Sequence, residues 1–353
     1  VNTMKKYLAG KTVSLGYSVN SYTDVLEGSS SVKDFGTLAE VIYAYFTELN
    51  PDETTYQSQI EKIIPIFEAQ SQLPDMVFSK SLTKAVYGGN PLMSTVDVDV
   101  LKNANYANML SMAKKSMENA ADYTFIFVGN VDEATLRPIL EQYIATLPSK
   151  GKASDLKVVT NLDPVSGKVV DKFDQPMQSP VTQVYNMYSG SNLKWDVKNS
   201  IMVDLMGDVL DMIFIETLRE DEGGTYGASV GATYNFSNNI WQLIYFYKTA
   251  EEKLERLEAR ADKELESMLK DGAKADHFNK VKEAAIKQYE INSKTNSYWT
   301  GCIMNAERGA NTYDGYIETL QALTLDEFNK FLKSVYDGKN NIEVIMIGKQ
   351  AAE

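Results

Sequence analysis

Residues 218–230, LREDEGGTYGASV, gather the side chains of this chain best suited to hold a polar substrate. An arginine and three successive acids close a long apolar run; a double glycine and a tyrosine follow. Arg219, at the end of a helix, keeps its charge and offers a planar fork of donors suited to a carbonyl oxygen. Tyr226, just past the turn, offers a phenolic donor to a carbonyl or to the oxyanion that develops from it. Gly223, Gly224 and Gly227 let the backbone bend tightly and come close to an extended chain. Simpler readings exist for both polar residues. Arg219 can be a helix C-cap paired with Glu220 or Glu222, and Tyr226 a strand aromatic packed in the core. Glu220, Asp221 and Glu222 read as solvated or ion-paired residues and not as general bases.

The other chemistry-bearing residues exclude more than they propose. There is one histidine in 353 residues. His277 lies just inside a helix start, with Asp276 as its cap, and reads as a solvated residue. It has no neighbours for a Ser-His-Asp triad and no partners for a zinc site, which draws on several His or Cys ligands. The single cysteine, Cys302, excludes an internal disulfide and, in the apolar setting WTGCIMN, reads as a buried thiol. Ser29, Ser30 and Ser31 read as a turn and helix cap, not a nucleophile. With 35 basic against 48 acidic residues the net charge is −13, against binding to nucleic acid phosphates. No apolar run of membrane-spanning length, about 18 residues, occurs. Neither a metal site nor a cofactor is expected on this chain.

These residues need elements to position them. TVSLGYSVNSYTDVL predicts two short strands around a turn near Asn20. Helical spacing follows over 31–49, capped by Ser31, then over 50–70, about 75–86 and 96–117. DYTFIFVGN predicts a buried strand before the helix DEATLRPILEQYIATL. The stretch 148–180 holds four of the nine prolines and no helical period, although KVVDKF has strand character. VTQVYNMYSG is a strand, and 196–220 is a long helix apolar on most sides and therefore buried. TYGASVGATYN and IWQLIYFYK form an antiparallel pair around FSNN. Helices follow at about 250–270, 275–293 and 325–336, then a last strand, NIEVIMIG.

An internal repeat runs through this order. DYTFIFVGN superposes on NIEVIMIGK with Gly129 on Gly348, NPDETTYQSQIEKI on AKADHFNKVKEAAI with Tyr56 on Phe278, and SLGYSVNS on TYGASVGA, all at similar offsets. The fold class is therefore α+β, with two homologous domains, each an antiparallel-rich mixed sheet packed with helices. The first domain covers 1–150, a linker 151–178, and the second domain 179–353. A strand and long helix precede the second hairpin but not the first, so about 40 to 50 residues of the first copy are expected to lie before Val1.

YTFIFVGNVDEATLRPILEQYIATLPSKG, with its strand, glycine, helix and LP ending, resembles domains of the pitrilysin/insulinase family of zinc metallopeptidases. LEGSSSVKDFGTLAEVIYAYFTEL and YGGNP are similar to the third domain of its bacterial members, and LREDEGGTYGASV to the signature of the fourth. The resemblance covers essentially the whole chain. It implies four homologous α+β domains closing around a peptide as two halves, zinc and a general base on an H-x-x-E-H helix in the N-terminal half. With one histidine, no such motif can be written here. What this chain resembles is the non-catalytic C-terminal half, its first domain trimmed.

By that resemblance, Arg219 and Tyr226 face the zinc site across the cleft and contact the substrate, with Gly224 and Gly227 beside them; no catalytic residue lies in this chain. The implied partners are a peptide substrate and an N-terminal catalytic half of the same polypeptide, and a dimer of the chain in isolation is compatible with its exposed partner face. A bacterial periplasm or cytoplasm both suit the low cysteine count. A catalytically inactive family member serving as a structural or processing-complex subunit, or a peptide-binding module, is the alternative function.

Overall fold

Alternating and helical apolar periods become strands and helices along most of the chain. In this computed structural model, residues 2–20, 23–130, 132–155, 162–225 and 227–351 are described. In order they form α1 (Asn2–Tyr7), β1 (Val13–Val19), β2 (Asp24–Ser30), α2 (Phe35–Thr47), α3 (Glu53–Ser71), α4 (Pro74–Tyr87), α5 (Val98–Lys102), α6 (Tyr106–Ser116) and α7 (Glu133–Ile139). Then come β3 (Lys168–Met177), β4 (Thr182–Gly190), α8 (Val197–Phe214), β5 (Ala228–Asn235) and β6 (Ile240–Thr249). Helices α9 (Leu254–Asp271), α10 (Ala275–Asn292), α11 (Asn296–Glu307), α12 (Tyr316–Ala322) and α13 (Leu325–Val335) lead to β7 (Asn340–Gln350). Side-chain caps fix several starts: Ser31 accepts from the Asp34 amide, Asp52 from Thr55, and Thr324 with Glu327 closes a capping box.

Two compact units divide the chain. The first holds Val1–Met76 and Asn90–Asp163. Its sheet is the antiparallel hairpin β1–β2, registered from Val13 against Ser30 to Val19 against Asp24. The apolar side of the hairpin covers Leu38, Ile42 and Phe46 of α2, with Met117 and Leu147 completing a small core. Tyr123 and Phe125 pack on Phe46, with ring centroids 5.1 and 6.2 Å away. The strand expected over this segment is not formed, because among the described residues of the unit β1 and β2 pair only with each other and no ladder reaches 123–128.

The second unit holds Val77–Gly89 and Pro164–Glu353. Its five strands run in the order β3-β7-β4-β6-β5, with β3 and β7 parallel and every other pair antiparallel. β3 thus lies in the proline-rich stretch that reads as linker, and it joins the sheet as an edge strand. One face, with Val184, Tyr245, Tyr247 and Ile345, packs under α8 through Ile201, Leu205 and Val209. The other, with Met187, Ile342, Val344 and Met346, is covered by Phe78 and Val86 of α4. At Gly348 an added Cβ would lie 2.4 Å from the Val181 amide, so β7 passes there only as glycine.

Both edges of this sheet are guarded. β3 carries Lys168, Asp171, Lys172, Asp174 and Pro176. β5 has no charge and no proline, but α8 covers it. Asp211 accepts the outward Val230 amide at 2.9 Å, and a Cβ on Gly207 would come within 2.7 Å of the Ala232 nitrogen. The mixed helix-and-sheet architecture is as the sequence implies, and no closed barrel occurs.

Candidate functional site

The buried helix α8 does not finish as an α-helix. From Ile215 to Asp221 it widens into a π-helix, and the Glu222 amide donates to the Thr217 carbonyl at 3.1 Å. π-turns are rare and concentrate at functional sites. Thr217 Oγ1 donates back to the Ile213 carbonyl at 2.7 Å, and Leu218 is wholly buried. The next residue, Arg219, is exposed, and among the described residues no carboxylate forms an ion pair with it. The simpler reading of Arg219 as a cap paired with Glu220 or Glu222 is therefore not what the structure adopts.

Two of the three acids at 220–222 are engaged elsewhere. The Glu222 carboxylate lies 3.0 Å from Arg256 Nε and 3.9 Å from Arg260 Nη1, and Asp221 lies 3.3 Å from Arg260 Nη2. Gly223 takes φ +53°, open to glycine. Gly224 is buried: its amide donates to the Leu218 carbonyl at 3.2 Å, and its carbonyl accepts from Thr249 Oγ1 at 2.7 Å. A Cβ there would meet Leu257 at 2.5 Å, so Gly224 shapes the turn from inside it. Gly227 is exposed, and Thr225 Oγ1 donates to its carbonyl at 2.9 Å. Tyr226 lies outside the described residues.

Contrary to the solvated position that the sequence implies, His277 is buried at 5% exposure. The first turn of α10 packs inward with Phe278 and Val281, which carries the imidazole to the π-turn, where Nε2 lies 3.0 Å from Glu216. Asp276 is not the cap either. Lys274 holds that position without a side-chain bond, and Asp276 pairs with Lys280 at 2.7 Å. Cys302 is buried, as expected.

Beside the π-turn, Asp208, Asp211, Met212, Ile215, Glu216, Glu220 and Lys280 line a cavity of about 400 Å³. Burial, and then the charge of Asp211, raises the Asp208 carboxyl above the usual carboxylate range. Among the described residues no group of three or more His, Cys, Asp or Glu side chains is arranged to hold a metal ion. A zinc site does not fit this donor set, since the lone imidazole is buried against a single carboxylate.

The structure thus brings together Arg219, Gly224 and Gly227 on one turn, and adds His277, read from the sequence as solvated, with Arg256 and Arg260, which sequence reasoning passed over. The spacing of Arg256 and Arg260, four apart on one helix face, was a readable signal; their partners were not.

Residues 107–285, about half of the chain, match the Peptidase M16 inactive domain. The chain belongs to the M16 peptidase family. A curated M16 relative, the zinc protease PQQL-like of Arabidopsis thaliana, is 20% identical over 321 residues, 84% of this chain and 32% of its own length. The periplasmic protease PqqL from Escherichia coli superposes with a TM-score of 0.83 at 16% identity, covering 99% of this chain and 39% of that one. The ferredoxin protease FusC, solved in complex with Arabidopsis ferredoxin, gives 0.81 at 16%, covering 99% and 38%. At such identities the solved structures establish the M16 fold alone. The chain spans about a third of the curated relative and less than two fifths of these two proteases. Pitrilysin is also among the similar structures, and a zinc protease-like family is the setting of this inactive M16 domain.

Proposed function

We propose that this chain is the non-catalytic C-terminal half of a zinc-dependent metalloendopeptidase, enclosing a peptide and placing Arg219 and Tyr226 against it. The observation that carries the reading is an exposed arginine without a carboxylate partner among the described residues, set on a π-turn beside a glycine bend, in a chain that matches the inactive M16 domain. A guanidinium free of internal partners keeps its donor fork for a peptide carbonyl. Gly223 and the buried Gly224 shape the bend, and Gly227 leaves room for an extended chain. Zinc and the general base would come from an N-terminal catalytic half of the same polypeptide; the FusC complex with ferredoxin shows a relative engaging a protein.

The chain alone, supplied with zinc, is expected to leave a quenched fluorescent peptide uncut, and zinc-dependent turnover by it would overturn the reading. In the whole peptidase, Arg219→Ala and Tyr226→Phe should each lower kcat/KM by about 10- to 100-fold with the melting temperature unchanged. Unchanged kcat/KM in both variants removes the assigned roles.

A further inference from the structure

Helix α9 meets the turn at 221–224 with Lys253, Arg256 and Arg260, spaced so that all three share one face. Lys253 Nζ donates to the Gly223 carbonyl at 3.0 Å. Arg256 Nη2 donates to the Glu222 carbonyl at 3.0 Å while its Nε faces the Glu222 carboxylate at the same distance. Arg260 reaches the carboxylates of Asp221 and Glu222. Two backbone carbonyls and two carboxylates of a four-residue turn are thus held by one row of cations. Lys253 and Arg256 stand at the N-terminal end of α9, where positive charge opposes the helix dipole. Their placement weakens the start of α9 and strengthens the turn.

A π-turn is rare, and this one is held by contacts from α9. If Ile215–Asp221 relaxed by one residue to an α-helical register, each later side chain would swing by about 100° around the axis. Arg219 would then leave the helix in another direction. We infer that the Lys253–Arg256–Arg260 row is the positioning element of Arg219, holding the π-turn in register and so aiming the guanidinium. This rests on the reading of Arg219 as a substrate contact.

The test uses the full chain with Arg256→Gln, Arg260→Gln and Lys253→Gln, the last removing a single exposed contact to the Gly223 carbonyl. Amide hydrogen exchange is read at Glu222 and Gly224, whose N–H groups close the turn, with β6 and β7 as internal reference. Exchange at both amides should rise by about tenfold in the two arginine variants and less in Lys253→Gln, with the reference strands unchanged. Arg260→Lys should fall between, since it keeps the charge and loses the fork. Binding of a dye-labelled unstructured peptide should weaken several-fold in the arginine variants, and its salt dependence should shrink with them. Unchanged exchange at Glu222 and Gly224 in both arginine variants overturns the inference, even if Arg219→Ala weakens peptide binding. Raised exchange with an Arg219→Ala variant that binds as the unaltered chain does keeps the clamp and removes the substrate reading.

Discussion

Asp204 and Asp208 stand one turn apart on the outward side of α8, open to water yet hemmed in by the helices around them. Desolvation by that surround, with the charge of Asp208 behind it, pushes the Asp204 carboxyl up to about 7 from an ordinary 3.8. A raised folded-state value means that the folded chain holds the proton more tightly than the unfolded chain. The stabilisation is fully present below about pH 4 and is lost as pH rises towards 7. Asp204→Asn should therefore be the more stable protein at pH 8, by roughly 1 kcal/mol, with no gain at pH 4. The figure is kept well below the full linkage value because the side chain retains solvent. Urea midpoints at the two pH values check this, and an equal shift at both would show that Asp204 does not titrate in that window. Arg219 belongs to the same scale, and its proposed role depends on its freedom. Its neighbours Glu220 to Glu222 could have neutralised it, and α9 has taken two of them away.

At the scale of elements, α8 and β5 depend on a glycine that helix propensity argues against. Replacing a helix-interior glycine by alanine commonly gains about 1 kcal/mol. At Gly207 the added methyl would sit 2.7 Å from the Ala232 nitrogen and 3.0 Å from its Cβ, against backbone that the β5–β6 ladder holds in place. Overpacking of this kind costs about 1–3 kcal/mol, so Gly207→Ala should lose net stability, by roughly 1–2 kcal/mol. A variant that melts higher would mean that β5 is free to retreat. Such close approaches are invisible in the sequence, whereas α8 itself, the β5–β6 hairpin and β7 are plain from their apolar periods. The segment YTFIFVG shows the limit of periodicity. It has the composition of a strand, but a strand is made by a partner; among the described residues none pairs with it, and its rings pack on Phe46 instead. β3 shows the converse, since its partner β7 recruits a charged, proline-bearing stretch that reads as linker. His277 and the π-turn were hidden for a related reason. IETLRED has an ordinary helical composition, and only His277, Arg256 and Arg260, brought in by folding, distinguish it.

The whole molecule is uneven in its stability. The second unit buries both faces of a five-stranded sheet, with Phe214, Trp241, Tyr245, Tyr247 and Phe328 all essentially inaccessible. The first unit has a two-stranded sheet over Leu38, Ile42, Phe46, Met117 and Leu147, and its long helix α3 buries no residue. Val96, Val100, Met109 and Met112 of that unit stay half-exposed or more. A hairpin alone is marginal in water, and stability follows the apolar area removed from it. The units should therefore unfold in sequence, the first at lower denaturant. The chain offers a direct way to see this. All three tryptophans, Trp195, Trp241 and Trp299, belong to the second unit, so tryptophan emission reports on that unit while helical circular dichroism reports on both. In a urea titration the circular dichroism signal should begin to fall before the emission changes. Amides of β1 and β2 should exchange faster than those of β4, β6 and β7 under native conditions. Coincident transitions by the two probes would mean that the units unfold as one cooperative block and that the small core of the first is not its limit.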